Sequence, residues 1–456
     1  MQQNMTKGSI AGNLFRFAGP FLVSSFLQTF YGLADLFITG QFNGAASISG
    51  VAIGSQVMHM LTVVIVGLSV GPTVLIARAV GAKKKEMLQR LVGNSICLFS
   101  VFAAVMTVLL LLLKSPIMQA LSTPSEAVGE TAAYMVICFL GIPFITAYNV
   151  ASAIFRGLGD TKSPMKYVAA AGVINVGLDL LLIGPAGMGA AGAALATVLS
   201  QAISDILAVR ALFRMKDIVP ARRDIHFDRD IFPDILRIGV PVALQEGFIQ
   251  ISFLAITAIA NGRGLEVSAA VGVVEKIISF LFLVPSAMLS TVSAVAAQNA
   301  GAGQHERSRQ ALFTSILFCC IYGACVFVLC QFVSEQLVSL FLHDDPVAVT
   351  LGGQYLRSYS LDTLFAGIQF CFSGFFSAYG KAFYSFIHNL ISILLVRIPG
   401  AALASRYFPD TLYPMGLAAP LGSLLSSVIC VFLYIRGRRF WIPAAQEQEE
   451  HRSSSF

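Results

Sequence analysis

Residues 172–184 read GVINVGLDLLLIG, an apolar run broken by one amide, Asn175, and one carboxylate, Asp179. The two stand at i and i+4, so in a helix they share one face, with Cβ atoms about 5–6 Å apart. An ionisable side chain at membrane depth is costly and marks a functional site by default. The plainer alternative is a polar pair that packs one helix against another. What other segments offer at the same depth decides between the two.

The rest of the chain shares this apolar character. Of 456 residues, 56% are hydrophobic and only 12% are charged, with a mean hydropathy of +0.77. Long apolar stretches with sparse charge place the chain in the polytopic membrane class. Pro and Gly scattered inside those stretches argue for helices over a barrel, whose segments are short and alternating. The first run, from near Leu14, is long enough to span and is followed by no small-residue cleavage site, so no cleavable signal peptide is expected. All eight cysteines lie inside apolar runs and read as reduced, small hydrophobes. The net charge of +6 does not point to nucleic acid, because the basic residues sit mostly in loops whose positions account for them.

Twelve apolar runs have spanning length, near residues 13–40, 48–78, 93–113, 130–155, 166–184, 188–213, 235–260, 267–297, 311–333, 351–377, 383–405 and 413–436, here called spans 1 to 12. Those longer than about 20 residues must tilt, kink or extend past the hydrocarbon. Orientation follows from Lys and Arg. With the N terminus in the cytoplasm, 24 of the 30 fall inside, four (Lys114, Arg263, Arg357, Arg406) outside, and two (Lys276, Arg397) within spans. Both termini are therefore expected in the cytoplasm.

The halves repeat. A shift of 221 pairs FRFAGP at 15–20 with LRIGVP at 236–241, Tyr134 with Tyr355, Phe155 with Phe376 and Gly159 with Gly380. A shift of 220 pairs GAKKKE at 81–86 with GAGQHE at 301–306. Each half holds an even number of spans, so the repeats enter the membrane from the same side, related by a pseudo-two-fold axis along its normal. The expected fold is all-α, a polytopic membrane protein of twelve transmembrane helices in two parallel six-helix repeats. The expected domains are an N-lobe at 1–213, a cytoplasmic linker at 214–234 read as a solvated charged loop, a C-lobe at 235–440, and a cytoplasmic tail at 441–456, read as an interfacial Trp441 anchor followed by disorder.

Topology lets depths be compared. Span 1 runs outward with Asp35 five residues before Gly40, and span 5 runs outward with Asp179 five residues before Gly184. Span 6 returns from the Gly-Pro-Ala-Gly turn at 184–187, which sets Thr197 about two turns down at about 1.5 Å per residue. Tyr134, near the outer end of span 4, is shallower. Two carboxylates, an amide and a hydroxyl at similar depth form an oxygen-donor set able to hold a shared proton or a small cation such as Na⁺. Shifting by 221 puts Ile256 opposite Asp35 and Gly400 opposite Asp179, so neither acid has a counterpart in the second half. That asymmetry favours ion binding in the first lobe. The second half carries Glu246, Glu275, Lys276, Asp362 and Arg397 within its spans. These either neutralise one another as buried pairs or form a cation-substrate or second proton site. His59 and His388 lack metal-type spacing and read as packed polar groups. No phosphate loop, zinc spacing or soluble domain large enough to hydrolyse ATP is present. The chain therefore reads as a non-enzyme without cofactor, driven by an ion gradient.

These residues together resemble the multidrug and toxic compound extrusion (MATE) family along essentially the full chain, and within it the DinF-like prokaryotic branch. The spacing from Pro20 to Asp35 resembles the family's bending first helix. Asn175 and Asp179, with Thr197 eighteen positions on, resemble the branch's first-lobe cation site. RGLGDTKSPM at 156–165 and QNAGAGQ at 298–304 resemble the loops after spans 4 and 8. The resemblance implies six helices per lobe around a central cleft and transport by alternating access. It implies that Asp35, Asn175, Asp179 and Thr197 couple the ion, that Gln28, Tyr134, Asn149 and Gln201 line the substrate cavity, and that Pro20 is the helix-bending residue. In the family's other branch the essential acids lie on spans 7 and 10. Glu246 and Asp362 lie on those spans, offset by up to about a turn, and with Glu275 they are further cavity candidates.

The leading expectation is a secondary active multidrug efflux antiporter of the cell inner membrane, exporting amphipathic organic cations in exchange for H⁺ or Na⁺. Its partners would be small cationic drugs and the bilayer, with no nucleic acid and a monomeric chain. The runner-up is a lipid-linked saccharide flippase, which would carry a basic cavity for pyrophosphate and usually extra helices; the first-lobe acids argue against it. A third reading is a drug-binding sensor that uses the cleft without transport. A major-facilitator antiporter shares the helix count but not the two loop motifs.

Overall fold

The structure, a computed structural model, describes residues 4–215, 218, 220, 225–342, 345–437 and 441. Among these, all regular structure is helical: α1 (Ile10–Phe42), α2 (Ala45–Gly81), α3 (Lys85–Ala120), α4 (Val128–Leu140), α5 (Ile142–Gly157), α6 (Lys162–Ile183), α7 (Gly189–Phe213), α8 (Ile231–Asn261), α9 (Leu265–Leu281), α10 (Leu283–Gly301), α11 (His305–Ser339), α12 (Pro346–Tyr359), α13 (Asp362–Ala378), α14 (Ala382–Ser392), α15 (Ile398–Tyr407) and α16 (Tyr413–Arg436). A π-helical turn at Ile393–Arg397 joins α14 to α15. Among the described residues, ten helical stretches are long and apolar enough to cross a membrane, and two bent pairs, α4 with α5 (48°) and α12 with α13 (42°), bring the total to twelve. The twelve-span expectation thus agrees with the helices, but spans 4, 8, 10 and 11 are each built from two pieces. Prolines account for two of the breaks. Pro143 and Pro285 sit just inside α5 and α10, where a proline lacks the N–H and its ring collides with the carbonyl four residues back.

The helices pack as two units, one formed by Asn4 and 16–239, the other by 5–15 and the described residues from 240 onward. The division falls at Gly239 inside α8, and Met5–Phe15 packs with the second unit although it precedes the first in sequence. Both units use the same internal bonds. In the first, the Thr73 hydroxyl donates to the carbonyls of Ser69 and Ala153 at 3.1 Å each; in the second, the Ser293 hydroxyl donates to those of Leu289 (2.8 Å) and Gly374 (3.3 Å). The turn bond from Asp160 N–H to the Phe155 carbonyl (2.8 Å) returns as Lys381 N–H to Phe376 (2.8 Å). The turns themselves coincide: Lys83 and Gly303 both adopt positive φ (56° and 75°), as do Gly159 and Gly380 (83° and 72°). The repeat is therefore a repeat of hydrogen bonds and turns, beyond apolar pattern.

The loop motifs prove to be structural clasps. After α5, Gly159 supplies the positive φ that ends the helix, and Asp160 caps α6 by accepting from the N–H groups of Lys162 and Ser163 at 3.0 Å each and from the Ser163 hydroxyl at 2.7 Å. Thr161 then donates to the Phe17 carbonyl of α1 at 2.9 Å. In the second unit, Gln298 Oε1 accepts from the Met5 N–H (2.7 Å), Asn299 Nδ2 donates to the Met5 carbonyl (3.3 Å), and Arg307 donates to Asn299 Oδ1 (3.2 Å) and to the Gly8 carbonyl (3.0 Å). The QNAGAGQ segment thus grips the residues that precede α1.

Two sequence expectations change. Trp441, read as an interfacial anchor, is held by protein side chains: it is buried, donates to the Tyr434 carbonyl at 2.8 Å, and packs against the rings of Phe375, Phe376, Tyr379 and Tyr434. Residues 442–456, read as disordered, lie outside the described residues. The linker is not simply solvated either. Asp228 is buried, pairs with Arg90 of α3, and its N–H donates to Asn94 Oδ1 at 2.8 Å.

The Asp230 amide first, then Arg90, hold the Asp228 carboxyl below the usual carboxylate range. A carboxyl depressed in the folded state contributes stability above its unfolded value of about 3.9 and loses it as pH falls through the folded value. The tether is therefore expected to hold unchanged between about pH 8 and 5 and to open only below about pH 4. Hydrogen exchange of 225–230 checks this; Asp228→Asn should give several-fold faster exchange there already at pH 7.

Candidate functional site

The first unit assembles its polar cluster from α1, α4, α6 and α7. The Asp160 cap and the Thr161 clasp position α6 against α1, so that Asn175 and Asp179, one turn apart, face Asp35 four turns beyond Pro20 (about 3.6 residues per turn). Asn175 and Asp179 are fully buried and Asp35 is 5% exposed. The Thr197 hydroxyl donates to Asp35 Oδ2 at 3.0 Å. Asp179 and Asn175 also face the Asp35 carboxyl. Among the described residues, Asp35 Oδ1, both Asp179 carboxylate oxygens and the Asn175 amide have no hydrogen-bond partner with both acids ionised. Two carboxylates cannot bond to each other without a proton between them, so the contact is repulsive until a proton or cation joins it.

Tyr134 is buried against Cys138 and lies in the field of both carboxyls. Gly54 of α2 makes room for it: a Cβ there would stand 2.2 Å from the Tyr134 ring. Gln201 Nε2 donates to the Tyr31 hydroxyl at 2.8 Å, and Tyr31 in turn neighbours Asp35 and Tyr148. Tyr31 is a member that the sequence reading passes over, although its place four residues before Asp35 on one helix face carries the signal.

Other expected members share no hydrogen bond with the cluster among the described residues. The Asn149 amide donates to the Ile145 carbonyl of its own helix at 2.8 Å, and Gln28 is half-buried on α1 with no hydrogen bond to the cluster among the described residues. Pro20 lies inside α1, with the Ser24 hydroxyl donating to its carbonyl at 3.0 Å.

In the second unit, Glu275 accepts from the Thr257 hydroxyl at 2.9 Å. Arg397, on the π turn, hydrogen-bonds the Tyr359 hydroxyl, lies 4.9 Å from the Phe253 ring centre, and shares the field of Asp362 and Glu275. Asp362 is fully buried and both its oxygens lack a partner among the described residues. Of the two readings left open for these charges, direct pairing is not seen at Arg397: among the described residues it forms no ion pair and the acids stand in a looser group around it. Lys276 is exposed and takes no part, because adjacent residues on a helix point about 100° apart. Glu246 is half-buried and separate from these charges. His388 is a packed polar group, bonded to the Ser373 (3.0 Å) and Ser426 (2.6 Å) hydroxyls.

A family model, MatE, matches residues 20–181 and again 241–403, the two matches starting 221 residues apart as in the repeat. The chain belongs to the MatE family. Members of this family are transporters, not enzymes. Among relatives, the Bacillus subtilis protein named probable multidrug resistance protein YpnP is 28% identical over 437 residues, covering 96% of this chain and 97% of its own length. A Shewanella oneidensis protein named FAD transporter is 26% identical over 412 residues, covering 88% and 89%. A solved structure described as the outward-facing conformation of a multidrug resistance MATE family transporter of the MOP superfamily shares the fold, with a TM-score of 0.89 at 22% identity and coverage of 96% of this chain and 98% of that one.

The facing carboxyls make a stability prediction for this MatE-family chain. At a pH alkaline enough to remove the shared proton, and without Na⁺, Asp179→Asn replaces a like charge by an amide that can donate to Asp35, and should raise the thermal midpoint by about 2–4 °C. A scanning thermal melt of the purified protein checks it; an unchanged or lower midpoint would contradict the packing described.

Proposed function

We propose that the protein is a secondary active efflux antiporter, exporting amphipathic organic cations in exchange for H⁺ or Na⁺ by alternating access, with Asp35, Asn175, Asp179 and Thr197 coupling the ion. The observation that carries this reading is that two buried carboxyls, from α1 and α6, face each other with a single hydroxyl, that of Thr197, donating to Asp35 alone. With both ionised, like charges lie side by side in a medium of low dielectric. A proton held between them, or Na⁺ coordinated by their oxygens and those of Asn175 and Thr197, removes the repulsion. Loading the ion also removes negative charge that would hold an organic cation in a cavity lined by Gln28, Tyr134, Asn149 and Gln201, so ion and substrate compete.

The ion can bias two conformations only through a difference in its affinity for them, and α1 supplies a joint through which that difference can act. Pro20 withholds the N–H that would close the bond to the Arg16 carbonyl. The helix is clasped on one side of this joint by Thr161 at Phe17 and carries Asp35 on the other. The relative named a multidrug resistance protein supports a drug-like substrate class. On this reading the chain works as a monomer in the inner membrane, with both termini cytoplasmic.

A second reading, an anionic amphipathic substrate, has two observations in its favour: Arg397 is buried on a π-helical turn, a feature frequent at functional sites, and one relative is named an FAD transporter. The carboxyls of Asp362 and Glu275 within its field oppose anion binding there.

Proteoliposomes under separately imposed pH and Na⁺ gradients test the proposal. One gradient should drive a lipophilic cation uphill in the wild type, and Asp179→Asn should abolish uphill movement. Uphill transport by Asp179→Asn, or cation binding with no transport under either gradient, would overturn it.

A further inference from the structure

The first unit contains a cavity of about 480 Å³ walled by α3, α5 and α7, on the side of α7 that follows the cluster toward its C-terminal end. Its walls include Phe99 and Ala103 of α3, Phe144 and Val150 of α5, and Leu212 and Phe213 of α7. Among its lining residues one carries charge, Asp205 of α7. Asp205 is 9% exposed, and its Oδ1 has no hydrogen-bond partner among the described residues; the same holds for the hydroxyl of Thr146, 1% exposed and on the same wall. No Lys or Arg among the described residues forms an ion pair with this carboxylate. Asp205 lies eight residues, about 12 Å along the helix axis, from Thr197, so it is not part of the ion-coupling cluster.

We propose that this cavity is a second ligand site, for organic cations that have partitioned into the membrane, with Asp205 as the counter-charge. The volume lies in the range that holds drug-sized ligands. A lone carboxylate in apolar walls costs free energy that a cationic ligand recovers by charge pairing, and the rings of Phe99, Phe144 and Phe213 offer faces that attract a cation. Phe144 and Phe213 are 41% and 51% exposed on spanning segments, the bent α4–α5 pair and α7, so the cavity opens toward the hydrocarbon, where an amphipathic cation accumulates. The site needs no gradient to bind and stands independently of the antiport reading.

The test is photolabelling of the full-length protein in phosphatidylcholine nanodiscs with a diazirine-bearing triphenylphosphonium cation, mapped by mass spectrometry. Adducts are expected within 96–104, 143–154 and 205–213. Asp205→Asn should lower their yield about tenfold, equivalent to a tenfold weaker Kd, and Asp205→Glu should restore it. Ala147→Phe, which fills the cavity from α5 and leaves the carboxylate in place, should lower the same adducts, while labelling elsewhere on the chain stays unchanged and reports intact folding. Absence of adducts in these segments, wild-type yield in Asp205→Asn, or displacement of the probe by phosphatidylethanolamine, which would assign the pocket to a lipid ammonium headgroup, would each overturn the proposal.

Discussion

The apposition of Asp35 and Asp179 is the constraint on which the first unit depends. Removing one carboxylate from water costs several kcal/mol even after relaxation, and a hydrogen bond to a charged group returns about 1.5–3 kcal/mol. The single hydroxyl of Thr197 therefore cannot hold two ionised acids together in an apolar lobe. The arrangement is stable with a proton or cation and strained without one, which is the property the proposed ion coupling needs. Much of the surrounding structure serves to keep the acids facing each other: the Asp160 cap sets where α6 begins, Thr161 ties that beginning to α1, and Gly54 admits the Tyr134 ring beside them.

The repeat explains how one chain carries such a site without duplicating it. The hydroxyl bonds of Thr73 and Ser293 and the turns at Gly159 and Gly380 recur in both units. The positions of the acids do not. Ile256, opposite Asp35, is 2% exposed within the apolar core of the second unit, and at Gly400, opposite Asp179, a Cβ would stand 3.3 Å from the Ala418 side chain. The second unit thus uses the shared skeleton for packing where the first uses it to present charge, and it gathers its own ionisable groups elsewhere, around Arg397.

The spans were legible in the sequence because apolar runs of fixed length and a lopsided Lys and Arg distribution are imposed by the bilayer itself. The breaks inside spans 4, 8, 10 and 11 were not, since hydropathy averages over a bend and cannot distinguish a proline that starts a new helix from one that kinks an old one. Asp35, Asn175, Asp179 and Thr197 could be grouped because equal distance from a span end translates directly into equal depth. Tyr31 was hidden by being one aromatic among many, and Asp205 by lying two turns from the end of α7, where an acid is ordinary. Lys276 looked buried only because depth says nothing about which face of a helix a residue occupies.

Ion release on substrate binding tests the proposed competition between ion and substrate most directly. In weakly buffered detergent solution near neutral pH, binding of tetraphenylphosphonium should release about one H⁺, or one Na⁺ where Na⁺ is the coupling ion, per substrate bound, because linkage makes the competition reciprocal. Release should vanish in Asp179→Asn. Equal release from wild type and Asp179→Asn would show that the ion is held elsewhere and contradict the role given to the facing carboxyls.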